Sequence, residues 1–170
     1  MQQSKSRDIL FQILKDLDDF AKMKNLEYPP IYLLGGSGCI IAGYLNRATT
    51  DFDLLDMEYD ASFGRLLRIL DNYDYLDLYL TTIPLDFKDR ALKIINFKNI
   101  YVLSREDIII SKIGRYSKVD IADISQLIIG VDKNYLSILI DSVVDRKDIS
   151  DRVKAKFLSN LKLFKETFNV

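Results

Sequence analysis

The chain of 170 residues contains no histidine, no tryptophan, one cysteine and only three prolines. The missing histidine removes Ser-His-Asp and Cys-His nucleophilic arrangements, the His-containing zinc signatures and histidine general-base chemistry together. Carboxylate, lysine, tyrosine or metal chemistry is what remains. A lone Cys39 forms neither an intramolecular disulfide nor a cysteine zinc cluster, which suits a reducing compartment. No single sign of charge dominates: 24 basic against 25 acidic residues leave a net charge of −1, so nothing draws the whole surface to a polyanion. Lys154, Lys156, Lys162 and Lys165 form at most a local basic stripe near the end of the chain. No run of about 18 apolar residues is present, and the opening MQQSKSRDIL carries charges where a signal peptide is apolar. The chain reads as soluble and cytoplasmic, with no membrane partner.

The apolar pattern divides the chain into a mixed front and a helical back. Ile9, Leu10, Ile13, Leu14, Leu17, Phe20 and Ala21 recur at three- and four-residue spacing, predicting an amphipathic helix from Ser4 to about Lys24. Pro29-Pro30 stops it, and Ile31-Tyr32-Leu33-Leu34 reads as a buried strand ending at Gly35-Gly36. A helix is expected from Ser37 to about Leu45, then a strand at 51–55, a helical segment near 62–70 and an alternating strand at 75–81. Short strands at 93–97 and 100–103 flank a turn at Lys98-Asn99. Ser104 begins a capping box for a helix over 105–115, and helices at about 119–129, 133–144 and 150–168 follow. The expected fold class is α+β: a mixed β-sheet flanked by helices over 1–103, then a C-terminal helical bundle over 104–170, forming one compact unit.

The chemistry concentrates in two short segments. Gly35-Gly36-Ser37-Gly38 follows a strand and opens a helix, where backbone amides and a hydroxyl can meet phosphate. It is not a P-loop, since no Lys-Ser/Thr follows, and Ile41 stands where a dinucleotide fingerprint needs its third glycine. Ten residues after Ser37 begins Arg47-Ala48-Thr49-Thr50-Asp51-Phe52-Asp53. On a strand, Asp51 and Asp53 would project from one face while Phe52 and Leu54 face the core. Paired carboxylates repel unless a cation lies between them, and magnesium commonly takes one or two carboxylates together with substrate phosphates. Asp77, on the next strand, is the expected third carboxylate, in a neighbourhood that also holds Asp71, Asp74 and Asp86.

Gly36-Ser37, a helix and then Asp51-x-Asp53 resemble the signature of the DNA polymerase beta-type nucleotidyltransferase superfamily. The form Arg47-x-Thr49-x-Asp51-x-Asp53 is closest to small bacterial nucleotidyltransferase-like proteins, themselves similar to AbiE-type toxins of toxin-antitoxin pairs. Leu103 to Lys112, with Lys118 to Ile124, resembles the family's lysine-bearing helix and the Asp-x-x-Asp helix after it. The likeness implies a nucleotidyltransferase fold and the transfer of a nucleoside monophosphate from a nucleoside triphosphate to a hydroxyl of a tRNA or protein acceptor, releasing pyrophosphate. It implies magnesium, or manganese in its place, on Asp51, Asp53 and Asp77. Gly36 and Ser37 would hold the phosphates, Lys112 would reach them, and Arg47 and Thr49 would brace the loop, Arg47 also offering its planar fork to a triphosphate. A cognate protein partner goes with the toxin-type relatives.

Plainer readings stand beside these. The glycines also suit a strand-ending turn, the aspartates a solvated loop, and Lys112, Asp120 and Asp123 the surface of two helices. Tyr73, Tyr75 and Tyr79 suit cross-strand packing or stacking on a base, and Cys39 a small buried apolar position. The competing function is a catalytically degenerate nucleotidyltransferase fold that binds a protein.

Overall fold

A computed structural model describes residues 4–70 and 72–170. Among them are a five-stranded mixed sheet and seven α-helices, the α+β class expected from the pattern. Two compact units divide the chain: Met1–Leu76 with Ala91–Leu103, and Asp77–Arg90 with Ser104–Val170.

The first unit begins with α1 (Arg7–Met23), which buries Leu10, Leu14, Leu17 and Ala21 along one stripe. Strand β1 (Ile31–Leu34) is buried throughout and leads directly into α2 (Gly35–Ile41). After β2 (Phe52–Asp56), helix α3 (Ala61–Leu67) is capped by Asp60, whose side chain accepts from the Phe63 amide. The sheet is completed by β3 (Tyr73–Asp77), β4 (Leu92–Lys93) and β5 (Ile100–Val102), in the order β3-β2-β1-β5-β4. Strand β1 runs antiparallel to β2, with Leu33 opposite Leu54 and Leu34 opposite Asp53, and parallel to β5.

Two strands differ from the sequence pattern because turn chemistry ends them. The expected strand at 75–81 starts at Tyr73 and stops at Asp77. There the Asp77 carboxylate accepts from the Tyr79 amide at 2.7 Å and its carbonyl accepts from Leu80 at 3.1 Å and from the Thr81 hydroxyl at 2.7 Å. The expected strand at 93–97 shrinks to Leu92–Lys93, since Phe97 donates back to the Ile94 carbonyl at 3.1 Å and closes a turn. Its antiparallel pairing with β5 remains, with Lys93 opposite Tyr101.

The second unit gathers α4 (Arg105–Arg115), α5 (Lys118–Leu127), α6 (Lys133–Val144) and α7 (Asp151–Phe168) around Ile108, Ile110, Ile113, Ile140, Phe157 and Phe164, all buried. Ser104 caps α4 by accepting from the Asp107 amide, and Ser117 with Asp120 forms a reciprocal capping box on α5. Segment 77–90 belongs here for a polar reason. The buried Arg146 guanidinium donates to the carbonyls of Leu78, Thr81 and Ile83 at 3.1, 2.9 and 2.9 Å, while Asp148 balances its charge at 2.6 Å. Arg90 forks onto the fully buried Asp107 at 2.9 and 3.2 Å. Burial pushes the Asp107 carboxyl up, against the opposing hydrogen bonds of Arg90 and Ser104.

Candidate functional site

The first unit brings the two informative segments together. Gly35 opens α2 with φ +57°, a left-handed conformation that places its α-carbon against Asp53: a Cβ here would lie 2.1 Å from Asp53 Oδ2. The Gly36 amide donates to that oxygen at 2.9 Å. A Cβ on Gly36 would meet Arg47 Nη2 at 2.9 Å and Thr49 Oγ1 at 3.1 Å. Asp53, Arg47 and Thr49 therefore wall a cradle whose floor is bare glycine backbone. Asp51 sits immediately before β2 and accepts from the Thr50 hydroxyl at 2.7 Å. Both aspartates are half-buried, able to meet a ligand while held by the fold.

Ser37 lies at the same turn with its hydroxyl fully buried. It donates to the Leu34 carbonyl at 3.3 Å and accepts from the Asp53 amide at 2.9 Å, clasping α2 to β2 rather than facing outward. The first-strand register explains why: Leu34 pairs with Asp53, so a hydroxyl three residues past Leu34 reaches both backbones.

Among the acids of β3, Asp74 stands nearest in register. The Phe52 amide donates to the Asn72 carbonyl at 3.0 Å, tying the starts of neighbouring strands β2 and β3, so that Asp74 falls beside Asp53. Asp77 ends β3 with its carboxylate on the Tyr79 amide and is the first residue of the segment that belongs to the second unit. Asp86 pairs with Arg90 in the second unit, and Asp71 lies outside the described residues.

Lys112 is in the second unit, only 4% exposed, with its ammonium 2.8 Å from Asp123 and 3.3 Å from Asp120. Asp120 also accepts two bonds from Arg115, both at 2.7 Å, and one from the Ser117 hydroxyl at 2.7 Å. Burial alone would raise the Asp120 carboxyl, but these bonds and the Lys112 charge outweigh it and hold the group well below the usual carboxylate range. The lysine and the Asp-x-x-Asp pair are thus the two halves of one buried ion network.

Asp53 and the Thr49 hydroxyl at the glycine pair, with Asp51 two residues before Asp53 in the chain, are oxygen donors of the kind magnesium takes when phosphates and water supply the rest. Among the described residues no group of three acidic, histidine or cysteine side chains converges as a ready-made metal cage. One residue of this neighbourhood carried no signal in the sequence: Lys5, buried against the loop that bears Asp51. A single lysine before an amphipathic helix belongs to no motif.

Gly35→Ala tests the cradle directly. Left-handed backbone costs a residue with a Cβ about 1–2 kcal/mol, and the contact with Asp53 adds to that. The variant is expected to melt several degrees lower and to displace the Asp53 carboxylate, measured by thermal unfolding and by faster hydrogen exchange of the Gly36 amide that the carboxylate holds.

The strand-glycine turn-helix unit, followed by an Asp-x-Asp entering the neighbouring antiparallel strand, defines a nucleotidyltransferase-like α+β protein. The chain belongs to the family described as nucleotidyltransferase of unknown function (DUF6036), which matches residues 8–168. Membership implies a nucleotide substrate. No curated protein and no solved structure matches the chain. Among the described residues, no helix is long and apolar enough to cross a membrane.

Proposed function

We propose that the chain is a magnesium-dependent nucleotidyltransferase that moves a nucleoside monophosphate from a nucleoside triphosphate to an acceptor hydroxyl. The observation that carries this reading is the convergence of Asp53, Arg47 and Thr49 on Gly35-Gly36. In the reaction the acceptor oxygen forms a bond to the α-phosphorus, the bond from that phosphorus to the bridging oxygen breaks, pyrophosphate leaves and the hydroxyl proton passes to solvent. Asp51 and Asp53 would hold the cation, which when bound neutralises phosphate charge and polarises the reacting phosphoryl group. The remaining work falls to the chain. Gly36 offers a surface without a side chain, so phosphate oxygens can approach the backbone, and its amide fixes the orientation of Asp53. Arg47 supplies a planar cation at the same wall, suited to phosphate oxygens. Ser37 acts by holding α2 against β2, and Lys112 by holding α4 to α5, so the positive charge at the cradle wall is that of Arg47. The acceptor proposed is a hydroxyl of a tRNA or a protein, and a cognate protein partner is part of the same toxin-type reading, both resting on the family resemblance.

A second reading has its own support. The inward Ser37 hydroxyl, the internally paired Lys112 and the lack of a converged three-acid group among the described residues favour a degenerate fold that binds a protein and holds no magnesium at its aspartates. Calorimetric titration with ATP, GTP, CTP and UTP in magnesium, repeated on an Asp51→Ala, Asp53→Ala double variant, separates them. The proposed enzyme binds one nucleotide in a magnesium-dependent way that the double variant loses. Binding that ignores magnesium and survives the double substitution supports the second reading.

A further inference from the structure

We infer that Lys5 is a positioning residue for the Asp51 and Asp53 site, acting through Thr50 from outside the stretch matched by the family. The inference rests on those two aspartates being the cation ligands. Loop 42–51 joins α2 to β2 and delivers Asp51, and a loop of that length holds a ligand in place only if something ties it down. The tie is the segment before α1. The Lys5 amide donates to the Thr49 carbonyl at 2.6 Å and the Thr49 amide returns a bond to the Lys5 carbonyl at 3.1 Å, an isolated antiparallel bridge. The Lys5 ammonium then donates to the Thr50 carbonyl at 2.5 Å, and the Thr50 hydroxyl donates to Asp51 Oδ2 at 2.7 Å. Arg7 adds a bond to the Ile41 carbonyl at 3.2 Å at the other end of the loop.

Two features separate this from an ordinary brace. Lys5 is only 5% exposed, and burying an ammonium is costly where a neutral donor would tie a loop as well. Its ammonium also bonds the carbonyl of a residue whose hydroxyl donates to Asp51, so Lys5 and Asp51 are tied to the backbone and the side chain of the same Thr50. Partners of metal ligands typically alter metal affinity 10- to 100-fold when removed, because they fix the ligand's direction. Charge alone predicts the opposite sign, since deleting a nearby cation should tighten binding of another.

The test is titration of the whole chain with manganese alone, followed by electron paramagnetic resonance of the free ion. It is run on the unsubstituted protein, Lys5→Met, Lys5→Arg and an Asp51→Asn, Asp53→Asn double variant, with hydrogen exchange of the 47–53 amides alongside. Lys5→Met is expected to bind manganese about tenfold more weakly or worse, with faster exchange in the loop, and Lys5→Arg to stay within about threefold. Unchanged or tighter binding by a folded Lys5→Met, while the double variant loses the ion, overturns the role of Lys5 and leaves the aspartate site standing. No manganese binding by the unsubstituted protein overturns both. If Lys5→Met does not fold, Lys5→Gln and Thr50→Val are titrated instead: weakened binding in both supports the relay, and unchanged binding in either overturns it.

Discussion

Asp53→Asn is expected to reduce nucleotide transfer by at least about a thousandfold, the largest effect of any single substitution in the first unit. One charge lost from a site that neutralises phosphate removes several kcal/mol of transition-state stabilisation, and each 1.4 kcal/mol is tenfold in rate. Asparagine keeps the shape of the side chain and its oxygen can still accept from the Gly36 amide, so the fold should survive. The informative comparison is with the acids of β3. If the β2-β3 register puts the third carboxylate at Asp74, then Asp74→Asn should approach the loss seen for Asp53→Asn. Asp77→Asn should stay within a few fold, because its carboxylate caps the turn at Tyr79. Labelled-nucleotide transfer, with melting temperatures as the control, measures all three. Equal activity of Asp53→Asn and the unsubstituted protein would remove the enzyme reading altogether.

The contrast between Asp53 and Asp77 shows where a sequence is legible and where it is not. Asp53 lies in a short strand entered from an arginine-threonine loop, and its partner is a glycine turn that must be glycine for steric reasons. Both requirements are local, so the spacing from Gly36 to Asp53 carries them. The helices of the back half were legible for the same reason: serine caps at 104, 117 and 150 and apolar stripes repeat within one element. Asp77 turned on a strand boundary, where Leu76, Leu78 and Leu80 continue an alternating pattern while side-chain bonds at Asp77 and Thr81 end the strand beneath it. Lys5 was illegible in a different way. Its meaning depends on a bridge to Thr49, forty-four residues away in sequence, and no local pattern announces such a pairing. Ser37 shows the remaining gap, since residue type and position in a motif do not tell which way a hydroxyl points.

Lys112→Met should cost about 3–5 kcal/mol of stability in the second unit while leaving manganese binding by the first unit's aspartates unchanged in any protein that remains folded. The lysine is 4% exposed and shared by two buried carboxylates, so removing it strips charge compensation from groups that have little water to fall back on. A lysine that instead served the phosphates would behave in the opposite way, weakening nucleotide binding with little change in melting. The pH dependence adds a sign that packing loss alone does not produce. In the unsubstituted protein Asp120 is held below its ordinary range, so its contribution to stability is present at neutral pH and is lost as pH falls from the ordinary carboxylate range toward that lowered value. Urea unfolding from neutral pH down to about pH 3 should therefore show the unsubstituted protein losing stability as the medium acidifies.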